Sequence, residues 1–210
     1  QIHSRWTDAP YRGLESFNLE HSDIFFGREV ETCDLENRLR QRAEDENNGV
    51  AFVAVVGSSG SGKSSLVRAG LRASLTRFNL DESIREWRSA VMTPGQADGL
   101  LTQSLIRTLM RDTAALPELA QQEVSEAELA QSFCESPATT LRTVFKPVVS
   151  RASQSAGGSV KLLLIVDQFE ELFTDKRICD EEREQFLLVI EALAKSSFCW
   201  VTATLRSDFY

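Results

Sequence analysis

The chain has 210 residues, 42% of them hydrophobic, and its 31 acidic against 23 basic side chains give a formal charge of −8. That length and apolar content suit one α/β domain with a substantial core and at most a small appendage. The acidic balance excludes the broad basic footprint that a nucleic-acid backbone requires, and no apolar run approaches the roughly 18 residues needed to span a bilayer, so neither nucleic acid nor membrane is expected as a partner.

The chain opens on an irregular lead of about 27 residues, and Gln1-Ile2-His3-Ser4-Arg5-Trp6 carries no signal-peptide core. The absent initiator Met points to a piece of a longer protein. A helix is predicted over about residues 28–44, with Val30, Cys33, Leu35 and Leu39 as its apolar face and Asn47-Asn48-Gly49 as its stop. We therefore divide the chain into a lead and helix, residues 1–48, and a core, residues 49–210. His3 and His21 are read as solvated or structural.

The core starts with the apolar run Val50-Ala51-Phe52-Val53-Ala54-Val55-Val56, a buried strand, followed by Gly57-Ser58-Ser59-Gly60-Ser61-Gly62-Lys63-Ser64, a complete G-x-x-x-x-G-K-[ST] loop. Glycines at these places let backbone N–H groups close around phosphates, Lys63 reaches the outer phosphates, and the Ser64 hydroxyl can ligate Mg²⁺. Ser58, Ser59, Gly60, Ser61, Gly62, Lys63, Ser64 and Ser65 are the expected phosphate-binding residues. Leu66, Val67, Leu71 and Leu75 form one stripe of the helix that follows, whose N-terminus faces the anion. A Gly/Ser turn without a ligand is the bland alternative. Arg68 and Arg72 on that helix are read as surface charges.

A second strand is predicted over Arg85 to Met92, ended by Thr93-Pro94-Gly95, and a helix over about 97–111 with Leu100, Leu101, Leu105 and Leu109 facing inward. Residues 114–135 are acidic and weakly patterned, which suggests short helices over a surface. Pro137 opens a helix toward Ser150, and 153–159 reads as a flexible turn. Val160-Lys161-Leu162-Leu163-Leu164-Ile165-Val166-Asp167 has the composition of a central parallel strand covered on both faces. A helix around 181–195 leads to a last strand, Phe198 to Leu205. Strands alternating with helices imply a parallel sheet with ligands at the strand C-termini. Cys33, Cys134, Cys179 and Cys199 form no C-x-x-C pair and have no histidine cluster nearby. They read as reduced cytoplasmic thiols rather than a zinc site or a disulfide framework.

Asp167 ends its strand about a hundred residues after the loop, where a carboxylate can hold Mg²⁺ directly or through water. Glu170 and Glu171 follow, and either can activate the attacking water, although acidic first turns also suit a helix dipole. Arg206 would emerge beside the γ-phosphate if its strand lies between the loop strand and the Asp167 strand; otherwise it is a solvent-facing ion pair.

Taken together, Pro10-Tyr11-Arg12-Gly13-Leu14, Phe25-Phe26-Gly27-Arg28-Glu29, the loop with its helix, Val166-Asp167-Gln168-Phe169-Glu170-Glu171-Leu172-Phe173 and Thr204-Leu205-Arg206-Ser207-Asp208-Phe209-Tyr210 resemble the NTPase module of the STAND class, in its novel STAND group, where WD repeats often follow. The resemblance spans nearly the whole chain. It implies a P-loop NTPase fold of the ASCE/AAA+-like kind, a parallel sheet flanked by helices, here ending before a last strand and lid domains. It also implies that Gly27 and Arg28 belong to a G-R-E element near the base and ribose, that Asp167 is the Walker B metal residue with Glu170 and Glu171 as its acidic pair, and that Arg206 is a sensor. ATP, ADP and Mg²⁺ are the implied cofactors. The implied activity is a slow ATP-driven signalling switch that meets protein partners, or itself, through regions outside this segment.

Two other readings stay open: a nucleotide-holding scaffold without turnover, and a P-loop kinase, which the acidic pair after Asp167 disfavours. No N-K-x-D or T-K-x-D segment would read guanine, and a DNA motor conflicts with the acidic balance.

Overall fold

A computed structural model describes residues 16–45, 49–77, 83–112 and 114–209. The segment 10–14, His3, Asn47, Asn48 and Tyr210 lie outside the described residues. Among the described residues the elements run α1 (Glu29–Glu44), β1 (Phe52–Gly57), α2 (residues 63–77), β2 (Ile84–Met92), α3 (Leu101–Arg111), α4 (Glu126–Glu135), α5 (residues 137–156), β3 (Ser159–Val166), α6 (Glu171–Thr174), α7 (Asp180–Ala194) and β4 (Cys199–Arg206). No helix among the described residues is long and apolar enough to cross a membrane.

The four strands pair in parallel in the order β1-β4-β3-β2. The last strand in sequence thus inserts between the loop strand and the Asp167 strand, the placement on which the reading of Arg206 depended. Strand β3 shows why its sequence is nearly unbroken apolar. Leu162, Leu164 and Val166 enter the larger core, under α3, α4, α5 and α7, while Leu163 and Ile165 enter a second core with Leu35, Leu39, Val67 and Leu71. Successive side chains point to opposite faces, and both faces are covered, so every position from Leu162 to Val166 is buried. The fold is an α/β parallel sheet flanked by helices, compatible with a P-loop NTPase-like fold.

Several expectations need correction. The buried face of α1 is Thr32, Leu35, Glu36 and Leu39, and Val30 and Cys33 are exposed. Two polar residues sit inside the stripe, which hides its phase from a hydrophobicity reading. Glu36 is satisfied there by Arg40 and by the Ser74 hydroxyl, at 3.2 and 3.0 Å. Leu100 is exposed rather than inward because it holds the non-helical N-cap position of α3 and does not share the phase of Leu101, Leu105 and Leu109.

Residues 114–135 are more than a surface covering, since Leu116, Leu119, Leu129 and Phe133 are fully buried. Helix α4 begins with a reciprocal capping box between Ser125 and Glu128. The expected flexible turn at 153–159 is instead the end of α5, which runs to Ala156 and closes on Gly157, with the N–H groups of Gly157 and Gly158 donating to Gln154 and Ser153. Pro147 sits within α5, directly after a π-helical turn, Leu141–Phe145, in which the Lys146 N–H donates five residues back to Leu141. The wider turn accommodates a residue that has no N–H and whose ring crowds the preceding turn. His21 is buried and structural, its Nδ1 accepting from the Asn18 N–H at 3.0 Å.

Candidate functional site

The loop between β1 and α2 closes on itself. Gly62 adopts φ +83°, a left-handed conformation that lets the chain turn straight into α2, whose first turn is tied by Leu66 N–H donating to the Gly62 carbonyl at 2.9 Å. Lys63 folds back along the loop, and its Nζ donates to the carbonyls of Gly57 and Ser58 at 2.8 and 2.7 Å. Both are neutral acceptors, so the ammonium has no anionic partner in these bonds. Beside it lies a cavity of about 330 Å³ lined by Arg28, Val55, Val56, Ser58, Ser61 and Leu66, among others. Arg28 is brought there by the start of α1, and its Nη2 donates to the Ser61 carbonyl at 3.1 Å. The Gly27 N–H donates to Glu29 Oε1 at 3.1 Å, bracing the same corner. Ser59 and Gly60 form the exposed crest of the loop. Ser65 is buried, and its hydroxyl accepts from the Phe17 N–H at 3.0 Å rather than facing the cavity.

At the far end of Lys63's turn, the Ser64 hydroxyl donates to Asp167 Oδ1 at 2.8 Å across 103 residues of sequence. Asp167 is 2% exposed. The same oxygen accepts from the Thr204 hydroxyl at 2.5 Å, and Oδ2 holds Arg68 Nη2 at 2.7 Å. Thr204 also accepts from the Gln168 N–H at 2.9 Å, and its carbonyl accepts from Phe169 N–H. These bonds fix the turn after β3, where Gln168 takes φ +58°. Arg68 is thus a partly buried counter-ion to Asp167 rather than a surface charge. Arg72 is likewise inside, its Nε donating to the Ser89 hydroxyl at 2.6 Å. Desolvation by burial lowers the Arg72 pKa from its ordinary value, the Asp112 carboxylate opposing this and the neighbouring Arg68 charge adding to it.

Ser64 Oγ and Asp167 Oδ1 are hard oxygen donors of the kind Mg²⁺ takes, and Mg²⁺ characteristically uses one or two protein oxygens with phosphate and water completing its shell. Among the described residues no group of three His, Cys, Asp or Glu could hold a metal by itself. A cation here would therefore depend on oxygens brought by a ligand.

The two glutamates diverge. Glu170 is buried, and its Oε2 accepts from the Arg206 N–H on β4 at 3.3 Å. Glu171 Oε2 accepts from the Gly95 N–H beyond β2 at 2.7 Å. Burial raises the Glu171 pKa above the ordinary carboxylate range; the Gly95 N–H opposes this, and the nearby Glu170, Asp175 and Asp167 charges reinforce it. Arg206 stands opposite Gly57 in the β1–β4 register, so its strand does deliver it beside the loop. Its guanidinium is held by Asp208, at 3.1 and 2.6 Å, and lies 5.4 Å over the Phe209 ring.

Sequence reasoning missed Thr204 and also Thr93, whose hydroxyl accepts from Arg68 Nη2 at 3.2 Å, as site residues and set Arg68 aside. A hydroxyl near the C-terminal end of a mostly apolar strand was the available signal for Thr204, one it shares with Thr202. Nothing in the spacing of Arg68 distinguishes it from Arg72 or from a solvated helix charge.

The chain matches the description Novel STAND NTPase 1 over residues 10–210. Neither the curated proteins nor the solved structures compared with it gave a match. The matched span contains the loop, the strand ending at Asp167 and the strand carrying Arg206, and it covers well over half of the sequence, so the chain belongs to the Novel STAND NTPase 1 family.

Proposed function

We propose that this segment is the ATP-binding and slowly ATP-hydrolysing module of a signalling switch. The observation that carries the reading is the Ser64–Asp167 contact at 2.8 Å, which joins the loop hydroxyl and the strand-end carboxylate where a phosphate-bound cation would sit. Gly57 to Ser64 is the Walker A loop and Asp167 the Walker B residue in this reading. Lys63, now resting on two neutral carbonyls, transfers to the outer phosphates, for which a charge-assisted bond is stronger. Mg²⁺, held by Ser64 and Asp167, neutralises phosphate charge. Arg28 and the apolar side chains of Val55, Val56 and Leu66 offer the base and ribose a partly apolar wall.

Glu170 is our choice for the residue that activates water. It leans toward β4 and thus toward the loop strand, whereas Glu171 is tied to Gly95 on the β2 side of the sheet, away from the loop. Arg206 responds to the γ-phosphate by leaving Asp208, an exposed pair that costs little to break. Cytoplasmic location, and partner proteins or self-assembly through further domains, complete the proposal.

Turnover and binding measured side by side test it. Glu170→Gln lowers ATP turnover by about 10²–10⁴-fold, the range of a general base, with ATP affinity retained. Glu171→Gln changes turnover by less than about tenfold. Equal losses in both variants would remove the assignment to Glu170. ATP binding without turnover in the unaltered chain would favour the scaffold reading. ADP release that rises with an added small-molecule acceptor would favour a kinase.

A further inference from the structure

The carboxylate that the proposed function gives to a cation already has one. Arg68 Nη2 lies 2.7 Å from Asp167 Oδ2, the arginine side chain is 21% exposed and the aspartate side chain 3%. Removing Arg68 leaves the enclosed Asp167 carboxylate without its counter-ion, which is among the costlier changes a fold can suffer. Asp167 Oδ1 is meanwhile saturated by the Ser64 and Thr204 hydroxyls. The carboxylate is therefore neutralised and hydrogen-bonded by the chain's own groups.

The arginine is less well served. Its Nη2 also donates to the Thr93 hydroxyl at 3.2 Å, but its Nε is buried and finds no acceptor among the described residues. Arg72 places a second guanidinium on the same helix, close enough for the two charges to disfavour one another. A buried donor without an acceptor carries a desolvation cost with nothing to offset it. The Asp167 pairing thus satisfies the carboxylate while leaving the arginine incompletely bonded.

We propose that Arg68 is an internal counter-ion that competes with Mg²⁺ for Asp167, so that the metal site opens only when nucleotide phosphates supply the extra negative charge. Arg68 is a positioning residue in this account: it acts on the metal through Asp167 and does not touch the substrate. Without nucleotide the Arg68–Asp167 pair holds and Mg²⁺ gains too little from one engaged carboxylate and one hydroxyl to displace it. With phosphates at the loop, the cation gains their oxygens as well, and the guanidinium withdraws toward Thr93. Metal and nucleotide then bind as a unit. The inference rests on the Mg²⁺-nucleotide reading of the site, but its test uses the metal alone.

Thermal melting in EDTA and in millimolar Mg²⁺, at matched ionic strength and without nucleotide, is the experiment. The unaltered chain should melt within about 1 °C of the same temperature in both, whereas Arg68→Gln should melt about 5–10 °C lower in EDTA and recover at least half of that loss in Mg²⁺. Arg68→Lys, which keeps a cation but pairs more weakly, should respond to Mg²⁺ less than Arg68→Gln and more than the unaltered chain. A purely structural arginine would lower the melting temperature without creating any response to the metal. Should Arg68→Gln be too unstable to purify, Mn²⁺ binding to the unaltered chain and to Arg68→Lys, followed by electron paramagnetic resonance with and without ADP, decides the matter. Binding that requires ADP in the unaltered chain, and requires it less in the weaker-pairing lysine variant, supports the competition. Metal bound equally well with and without ADP in the unaltered chain, or an Arg68→Gln protein indifferent to Mg²⁺, overturns it. Either result leaves Mg²⁺-dependent ATP binding as a separate observable, so failure of the counter-ion role and failure of the site are distinguishable.

Discussion

Glu170 and Glu171 are neighbours in the chain, yet one accepts from β4 and the other from the segment after β2. Burial is what most raises the Glu171 pKa, so the folded state binds that proton more tightly than the unfolded chain does. The resulting stabilisation is full below the ordinary glutamate pKa of about 4.3 and is lost as pH rises through the folded value. Glu171→Gln cannot ionise and keeps an acceptor for the Gly95 N–H. Urea unfolding at pH 4.5 and pH 7 should therefore show the variant gaining on the unaltered chain as pH rises. The opposite slope would mean that the Gly95 bond outweighs burial.

The loop from Gly57 to Ser64 stands out in the sequence because its G-x-x-x-x-G-K-[ST] pattern restricts residue type at fixed spacing. Asp167 was legible because a carboxylate terminates an apolar strand. Arg68 was not, because its place depends on helix rotation, and Thr204 was marked only weakly, because its bond to Asp167 depends on which strands pair.

Among the elements, α2 is the one that the site and the core both depend on. Its middle turn, Leu66–Leu71, has π spacing, with the Arg72 N–H donating to the Val67 carbonyl five residues back. Gly70 lies in that turn where α1 and the chain before it press closest: a Cβ there would stand 2.7 Å from Thr32 Oγ1 and 3.1 Å from Phe25 Cε1. Gly70→Ala should destabilise the fold by about 1–3 kcal/mol through overpacking, although alanine is the better helix former by about 1 kcal/mol. Chemical denaturation checks the sign, and adding Thr32→Ala should restore part of the loss, since it removes the nearest obstructing atom. A stabilised Gly70→Ala would show that α1 yields easily. The apolar stripe of α2, Leu66, Val67, Leu71 and Leu75, is buried as its spacing predicts. That of α1 was misread because Thr32 and Glu36 replace apolar residues at buried positions, and that of the 114–135 region because Leu116, Leu119, Leu129 and Phe133 are spread over separate short turns without one period.

For the whole molecule, the strand order decides which residues meet at the candidate site. Inserting β4 between β1 and β3 brings Thr204 onto Asp167 and sets Arg206 opposite Gly57, so residues from three separate parts of the sequence meet at one end of the sheet. The alternation of strands and helices predicted a parallel sheet, but several strand orders satisfy that alternation, and the choice among them is made by long-range packing. Every role proposed above requires that this end of the sheet bind a nucleoside triphosphate with its metal. Calorimetric titration of the chain with ATP and ADP, with and without Mg²⁺, beside Lys63→Ala, measures it directly. The account predicts saturable, Mg²⁺-dependent ATP binding that Lys63→Ala weakens about 10- to 100-fold, the factor matching the roughly 1.5–3 kcal/mol of a bond to a charged group. ATP binding of equal strength in Lys63→Ala, or independent of Mg²⁺, would contradict it.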